Sequence, residues 1–351
     1  METLPIEQAA GRALSHDLTQ IIPGESKQAR FRKGYVLRAE DMATLRSMGK
    51  EHVLVETVSA APVDGQVHEA HAAARLARHC KGAAVRTGEP SEGKVELFAT
   101  ADGCFDAHTG AINAINMLGE LAVAVRRPLC AVRAGDKLGA VKVIPLFVAE
   151  EKLRAACELA ASPLLSVLPF TQANVCLVIT GSEVARGLVK DGFTPVLREK
   201  LQPFGMRVLK RFVVEDSAAA IGAAITQAKE ALAAAGSRAG LILCTGGMAV
   251  DPDDKTPGAI RQSGAECVCH SVPVFPGALF MLSYFEDGTA LAGLPGCVMY
   301  AKKTIFDIVL PALAAGKRLG AAFFTRMGAG GLCLDCPHCI FPNCAFGSGG
   351  M

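Results

Sequence analysis

Three glycine-bearing loops hold the residue types best suited to binding a phosphorylated ligand. They are Thr180-Gly181-Ser182-Glu183, Thr245-Gly246-Gly247-Met248 and Gly293-Leu294-Pro295-Gly296. Glycine lets the backbone approach a ligand closely and present N–H groups, and a helix N-terminus adds a partial positive charge. Any one of these loops alone would be an ordinary turn. Three of them at the ends of predicted strands indicate a site for a phosphate or another oxyanion.

Carboxylates follow two of the predicted strands. Asp251, Asp253 and Asp254 come after the second loop, and Asp216 follows a further strand. Carboxylate oxygens are ligands that Mg²⁺ prefers, and the ion would bridge to the phosphate of the ligand. We therefore predict a magnesium site that includes Asp251 and Asp254.

Four of the thirteen cysteines lie close together near the C-terminus. In GLCLDCPHCIFPNCAFG they have the spacing C-x₂-C-x₂-C-x₄-C and are Cys333, Cys336, Cys339 and Cys344. The first spacings are those of ferredoxin-type [4Fe–4S] ligation, while the last is one residue longer than in the bacterial pattern. Structural zinc sites usually combine two distant C-x₂-C pairs, although a compact site is compatible with the spacing. The sequence predicts a metal here, and it leaves an iron–sulfur cluster, a zinc ion and unmetallated thiols as alternatives.

The elements that position the glycine loops have an α/β pattern. Short, continuously apolar segments, typical of strands buried on both faces of a parallel sheet, alternate with amphipathic helical segments. We predict strands at 174–180, 207–214, 239–244, 266–270 and 290–293, and helices at 195–204 and 298–314. This alternation over residues 169–316 predicts a doubly wound, mostly parallel sheet. Ligands bind such sheets at the carboxyl ends of the strands, where the loops lie.

The rest of the chain is predicted to form smaller parts. Residues 1–60 contain short amphipathic helices and a strand, which indicates a small α+β region. Residues 61–168 begin with a helix and continue, from Gly93 to Pro145, as short β-type segments between glycine and aspartate turns, a β-rich module. Residues 317–351 are the cysteine-rich tail.

Composition excludes several classes of partner. The 36 basic and 34 acidic residues give a net charge of only +2, which provides no large field for nucleic acid or anionic lipid. No apolar segment approaches the ~20 residues of a transmembrane helix, and the N-terminus lacks the layout of a signal peptide. The other nine cysteines are scattered through predicted strands and helices, as in a reducing compartment. We expect a cytoplasmic protein that binds neither nucleic acid nor membranes.

Five motifs resemble, in order and spacing, the molybdopterin-binding domain. They are TGSE, VVEDS, CTGGMAVDPDDKTP, VFPGALF and GLPG, within residues 172–316. This domain is shared by the gephyrin-like molybdopterin molybdenumtransferases, the molybdopterin adenylyltransferases and the competence-damage-inducible nucleotide-processing enzymes. The opening LPIEQAAGRALSHDLT resembles the start of the molybdenumtransferases, and the whole chain resembles a subgroup that carries a C-terminal cysteine cluster.

The resemblance implies a set of site residues. Glu183, Asp216 and Asp254 match the family's carboxylates around the pterin phosphate and metal, and would be catalytic. Molybdopterin would be bound by the glycine loops and by the Pro-Gly of VFPGALF. These binding residues are Thr180, Gly181, Ser182, Gly246, Gly247, Pro276, Gly277, Leu294, Pro295 and Gly296.

The resemblance also implies a reaction of molybdenum-cofactor biosynthesis. It is the Mg²⁺-dependent hydrolysis of adenylylated molybdopterin, with insertion of molybdate and release of AMP, carried out by a homodimer. One alternative is a non-catalytic molybdopterin carrier that delivers cofactor to a molybdenum enzyme. Another is a phosphohydrolase that acts on a nucleotide.

The sequence departs from the molybdenumtransferases in several places. The family's Ser-Ala-Met-Asp-Gly-Tyr-Ala segment and small C-terminal β-domain have no counterpart, and Cys297 replaces an asparagine. The lysine expected after Pro276-Gly277 is also absent, because Ala278 and Leu279 follow. Loss of that lysine removes a candidate group for holding molybdate. The departures therefore support binding better than catalysis, whereas the three retained carboxylates favour an enzyme.

Overall fold

The computed structural model describes residues 1–56, 65–237, 240–249 and 254–349. The chain forms two compact units. The first comprises Met1–Phe98, His108–Arg126 and Lys137–Leu165, and the second comprises Ala99–Ala107, Arg127–Asp136 and Ser166–Met351. The predicted boundary between residues 60 and 61 lies outside the described residues. Within the described ranges, no helix has the length and apolar character needed to cross a membrane.

The elements up to residue 168 are short. The strands are Glu2–Pro5 (β1), Leu18–Ile22 (β2), Ser26–Phe31 (β3), His52–Val55 (β4), Gln66–His68 (β5), Val85–Thr87 (β6), Lys94–Ala99 (β7), Gly103–Ala107 (β8), Leu121–Val125 (β9), Ala131–Val132 (β10), Lys137–Val143 (β11), Phe147–Ala149 (β12) and Leu165–Leu168 (β13). The helices are Asp41–Ser47 (α1), Glu69–Cys80 (α2), Thr109–Met117 (α3) and Glu150–Leu159 (α4).

The first unit contains small antiparallel sheets, as its β-type segments predict. β1 pairs with β4, β2 pairs with β3, and β6, β7, β11 and β9 form a four-stranded sheet in that order. Alternate residues of β7 and β11, including Val95 and Val141, are buried, as expected for a sheet with one covered face. The sequence did not predict α3, whose buried Ile112 and Ile115 have the three-residue spacing of a helix.

The C-terminal part has longer elements. Its strands are Asn174–Thr180 (β14), Arg207–Val214 (β15), Leu241–Thr245 (β16), Glu266–His270 (β17), Met281–Tyr284 (β18) and Ala290–Leu294 (β19). Its helices are Ser182–Ala185 (α5), Phe193–Leu201 (α6), Ala218–Ala234 (α7), Thr256–Gln262 (α8), Ile305–Ala314 (α9) and Ala321–Thr325 (α10). Turns of 3₁₀ helix lie at Ile6–Gln8, Gln202–Phe204, Gly296–Met299 and Arg326–Gly328.

The C-terminal strands form one six-stranded sheet in the order β15-β14-β16-β19-β18-β17. β15, β14, β16 and β19 are parallel, while β18 and β17 are antiparallel. Alternate residues of β14 belong to two different cores: Leu177 packs on the side that includes α6 and α9, and Val178 on the side that includes α7. Helices therefore cover both faces, and the prediction of a doubly wound, mostly parallel sheet is confirmed.

Some predicted elements have different limits in the structure. The long helix predicted at 298–314 is wrong: a 3₁₀ turn ends at Met299, and α9 begins only at Ile305. The reason is a capping box, in which the Thr304 side chain accepts from the helix backbone and Asp307 accepts from the Thr304 backbone N–H. The sequence did not predict β18, whose four residues are all buried. Ala239, predicted to begin the third strand, lies outside the described residues.

Candidate functional site

The first two glycine loops meet at the carboxyl ends of the parallel strands. β14 ends at Thr180 and β16 ends at Thr245, which are buried and lie on neighbouring strands. The hydroxyl of Thr256, the first residue of α8, donates to the carbonyl of Gly246 over 2.9 Å and lies 3.3 Å from the hydroxyl of Thr180. The sequence did not single out Thr256, which is recognisable only as the threonine after the acidic segment. Two strand ends and one helix start thus form a single polar cluster.

The backbone of the second loop runs too close to its neighbours for any side chain. Gly246 and Gly247 have positive φ values of 85° and 54°. A Cβ atom on Gly246 would lie 2.2 Å from the Thr180 carbonyl oxygen. A Cβ atom on Gly247 would lie 3.0 Å from both Asp216 Oδ1 and Thr256 Oγ1. Glycine suits both positions because it adopts a positive φ without strain and brings no Cβ atom against these oxygen atoms.

Asp216 carries the clearest sign that this cluster binds something. Its Oδ1 atom is buried and has no hydrogen-bond partner among the described residues, and the same holds for the buried hydroxyl of Thr245. A buried polar atom without a partner is rare and costs about 1–3 kcal/mol, so it calls for a ligand, an ion or water. The oxygen atoms around it belong to carboxylate, hydroxyl and carbonyl groups, which are ligands suited to a hard cation such as Mg²⁺.

Of the other predicted carboxylates, the structure describes Glu183 and Asp254 but not Asp251 and Asp253. Glu183 is exposed and its Oε1 atom lies 3.0 Å from where a Cβ atom of Gly181 would be, so its side chain folds back over the first loop. Asp254 is partly buried and precedes α8 by two residues. Asp251 and Asp253 lie outside the described residues. Of the two predicted Mg²⁺ ligands, Asp251 and Asp254, the structure therefore describes only Asp254.

The Pro-Gly loop and the third glycine loop both lead to the start of α9. The carbonyl of Pro276 accepts from the Ile305 N–H over 3.2 Å, and a Cβ atom on Gly277 would lie 2.5 Å from Ile305 Cγ2. Leu294 is buried at the end of β19, and Pro295 leads into the 3₁₀ turn that begins at Gly296. Close packing therefore requires Gly277. A Cβ atom on Gly296 would have no neighbour within 4 Å, so packing does not require glycine there.

Two lysines that the sequence did not single out lie beside the Pro-Gly loop. Lys302 and Lys303 line a cavity of about 530 Å³ together with Pro276, Tyr300 and Cys333. Their position in the sequence could have indicated them, because they follow the third glycine loop and directly precede the threonine that caps a helix. They bring positive charge to the Pro276 loop, where the family's expected lysine is missing.

All four tail cysteines line one cavity. Its volume is about 170 Å³, and Lys302, Lys303 and Phe341 also line it. The Cys333 N–H donates to the Phe275 carbonyl, and the Phe275 N–H donates to the Gly331 carbonyl, both over 2.8 Å. The tail is thus hydrogen-bonded to the residue immediately before Pro276. Over the parts of the chain that the structure describes, no three His, Cys, Asp or Glu side chains are close enough to hold a single metal ion.

Most cysteines outside the tail are packing residues. Cys80, Cys104 and Cys244 are fully buried, and burial raises the pKa of each thiol to about 12. At neutral pH such thiols stay protonated and behave as small apolar side chains. The prediction that scattered cysteines are core residues holds for these positions. Cys267 differs, because it is exposed on β17.

Gly246→Ala should distort the loop at the end of β16. The added methyl group would collide with the Thr180 carbonyl at a positive φ, so we expect a loss of about 2 kcal/mol or more in the free energy of unfolding. The matched control is Gly222→Ala in the interior of α7, where no atom lies within 4 Å of the new Cβ. That change should stabilise the protein by about 0.5–1 kcal/mol. Urea unfolding of both variants provides the measurement, and equal effects would contradict the loop geometry.

Residues 176–315 match the family model described as a probable molybdopterin binding domain. They form a domain of that family. The glycine loops and the Pro-Gly loop all lie within the matched range of this molybdopterin-binding domain, so the family predicted from the five ordered motifs is confirmed for this part of the chain. The family model is one of molybdenum-cofactor biosynthesis domains.

Residues 3–57 match the model of a domain of unknown function (DUF8806). The resemblance of the first residues to the molybdenumtransferases therefore stays a prediction. No match is found among curated proteins.

Several solved structures are similar to parts of the chain. The molybdopterin biosynthesis enzyme MoaB from Thermus thermophilus is 20% identical, with 42% of this chain and 98% of that chain covered and a TM-score of 0.32. The protein CinA with unknown function from Thermoplasma acidophilum is 20% identical over 36% of this chain and 89% of its own, with a TM-score of 0.31. A molybdenum cofactor biosynthesis protein from Pyrococcus furiosus is 11% identical over 90% of this chain and 63% of its own, with a TM-score of 0.26. At these values the similarities carry no information about activity.

Proposed function

We propose that the molybdopterin-binding domain holds adenylylated molybdopterin with its pyrophosphate against the first two glycine loops. The observation that carries this proposal is the buried Oδ1 atom of Asp216, which has no partner among the described residues and lies 3.0 Å from the position that a Cβ atom on Gly247 would occupy. Because both residues of the loop are glycine, no side chain of this loop stands beside the Asp216 carboxylate. Thr180 and Thr256 add hydroxyl groups beside it.

We further propose that the chain is a molybdenumtransferase-like enzyme. Asp216 and Asp254 would hold Mg²⁺ together with the pyrophosphate oxygens, and the bound ion would offset the negative charge of that group. Glu183, which lies over the first loop, would orient the attacking water. Hydrolysis consumes one water molecule and releases AMP, while molybdopterin keeps its phosphate. Its two dithiolene thiols then bond to molybdate and displace one oxide, which leaves as water with the two thiol protons.

Lys302 and Lys303 supply the positive charge that the missing lysine would otherwise provide. Both line the cavity beside Pro276, and molybdate is an anion that needs such a charge. This arrangement supports catalysis despite Ala278 and Leu279. We expect the double variant Lys302→Ala/Lys303→Ala to need a higher molybdate concentration for half-maximal AMP release. Lys229→Ala, which removes a surface lysine paired with Asp287 in the same domain, should leave that concentration unchanged.

The deciding experiment is AMP release by the anaerobically purified full chain with adenylylated molybdopterin, Mg²⁺ and molybdate. Bound pterin is quantified in the same sample. Molybdate-dependent AMP release supports the transferase, and Asp254→Asn should then abolish release while only weakening pterin binding. Hydrolysis of nucleotides that lack a pterin would instead indicate a phosphohydrolase. Absence of both binding and release would overturn the proposal.

One surface feature favours the second candidate, a molybdopterin carrier for a molybdenum enzyme. Leu332, Leu334 and Ile340, which flank the tail cysteines, expose 60%, 76% and 60% of their surface. Exposed apolar clusters of this kind often mark contacts with other proteins. Tight pterin binding without AMP release would support the carrier. The homodimer expected from the resemblance stays a prediction, which sedimentation analysis of the pterin-bound protein would test.

A further inference from the structure

The cysteine-rich tail forms a prepared cavity. Cys333, Cys336, Cys339 and Cys344 line the same 170 Å³ space, although as many as eleven positions separate them along the chain. The other lining residues are mainly apolar and include Leu332, Leu334, Ile340, Phe341 and Phe346.

Both ends of the cysteine loop are anchored. At the start, Gly331 packs so closely that a Cβ atom would lie 2.2 Å from the Pro273 carbonyl oxygen, and Cys333 is hydrogen-bonded to Phe275. At the other end, Phe346 is 4% exposed. Between the anchors, Lys302 Nζ donates to the carbonyls of Cys336 and Pro337 over 3.1 and 3.3 Å. The loop is therefore fixed around its cavity by contacts that involve no metal.

Zinc ions and iron–sulfur clusters need their thiolate ligands in different arrangements. A zinc ion needs its thiolates at about 2.3 Å from a single point, so their sulfur atoms must converge. No such group of three ligands occurs in the described ranges. A cluster of four irons occupies space between its ligands and needs each thiolate at a different corner. Four cysteines that line one cavity, three of them with the C-x₂-C-x₂-C spacing of ferredoxin-type ligation, provide the four thiolates that such a cluster needs.

We propose that this cavity holds a [4Fe–4S] cluster ligated by Cys333, Cys336, Cys339 and Cys344. Binding converts the four thiols to thiolates, whose protons pass to solvent, and each sulfur forms one bond to iron. Four thiolates leave the common oxidised cluster with net negative charge. Lys302 and Lys303, which line the cavity, offset it.

The proposal goes beyond the proposed function, because it concerns the tail and not the pterin site. The two are nevertheless linked by backbone contacts. Phe275, which exchanges backbone hydrogen bonds with the tail, directly precedes Pro276 and Gly277. A bound cluster would hold this loop in place.

The test is metal analysis of the full chain after anaerobic incubation with ferric iron, sulfide and a thiol reductant, followed by removal of unbound metal. We expect about four irons and about four acid-labile sulfides per chain, with visible charge-transfer absorption that decreases on dithionite reduction. A parallel incubation with zinc alone tests the other metal. Tight binding of about one zinc with no retained iron and sulfide would overturn the proposal, as would a chain that retains no metal.

Single serine substitutions separate ligation from general metal binding. Cys336→Ser and Cys339→Ser change exposed residues, so the fold should survive, which circular dichroism and pterin binding would verify. Both should lose most of the iron and the visible absorption. Cys267→Ser, which changes an exposed cysteine on β17, is the matched control and should keep both. Equal iron loss in the control, or none in the tail variants, would contradict the assignment. A failure of AMP release leaves these readouts unaffected, so the two proposals fail separately.

Discussion

Asp216→Asn should lower the rate of AMP release by about 10²-fold or more while leaving the protein as stable as before, or more stable. The activity loss follows because a neutral amide is a weaker ligand for Mg²⁺ than a carboxylate and does not offset its charge. The stability result follows because the carboxylate has a buried oxygen without a partner in the part of the chain that is described, and a neutral amide costs less to bury than a carboxylate. We expect a gain of up to about 1 kcal/mol in the free energy of unfolding.

Asp287→Asn is the matched control for this variant. Asp287 lies in the loop before β19, at the opposite end of the strands, and pairs with Lys229. Hydrogen bonds from Thr289 lower the pKa of its carboxyl, although partial burial opposes them. Its loss should cost a little stability and no activity. If Asp216→Asn instead destabilised the protein and kept full activity, Asp216 would be a structural residue.

Asp307→Ala should reduce the free energy of unfolding by about 3–5 kcal/mol. Lys200 Nζ donates to both carboxylate oxygens of Asp307, over 2.8 and 2.9 Å, and the two side chains are only 11% and 6% exposed. Removing the carboxylate leaves a nearly buried ammonium group without its partner. It also removes the capping box at the start of α9, which adds about 1 kcal/mol to the loss.

Chemical denaturation measures this effect, and a double variant identifies its cause. Lys200→Met/Asp307→Leu removes both charges and should recover most of the lost stability, because the cost comes from the unpaired ion. Lys303→Ala removes the more exposed partner of Asp307, at 3.3 Å, and should cost less than about 1 kcal/mol. A double variant as unstable as Asp307→Ala would show that the cap, and not the ion pair, dominates.

The sequence was most informative where burial is complete. Every residue of β14 and of β16 is buried, so their continuous apolar segments predicted both strands and hence the loops that follow. The order of the strands in the sheet, and the antiparallel direction of β18, depend on distant contacts that no local pattern contains. The late start of α9 was also hidden, because Lys302 and Lys303 are compatible with a helix that continues through them to Thr304.

The sequence indicated which residues belong to the candidate site. It did not indicate which of them contact each other. Spacing indicated Asp216, Gly246 and Gly247 as site residues, but only the fold shows that the Asp216 oxygen lacks a partner among the described residues. Thr256 joins the cluster from a helix that begins after the acidic segment, so its role could not be read locally. In the tail, the cysteine spacing left several metals open, and the shared cavity is a property of the folded loop.

The outer position of β15 affects how the protein behaves at high concentration. In the six-stranded sheet, as far as the chain is described, β15 is an edge strand whose hydrogen-bonded neighbour is β14. An unprotected strand of this kind can pair with the same strand of another molecule and start aggregation. β15 carries Arg207, Lys210 and Arg211, all exposed. Two such strands would bring like charges together, so we expect the basic side chains to disfavour pairing of β15 with a second molecule.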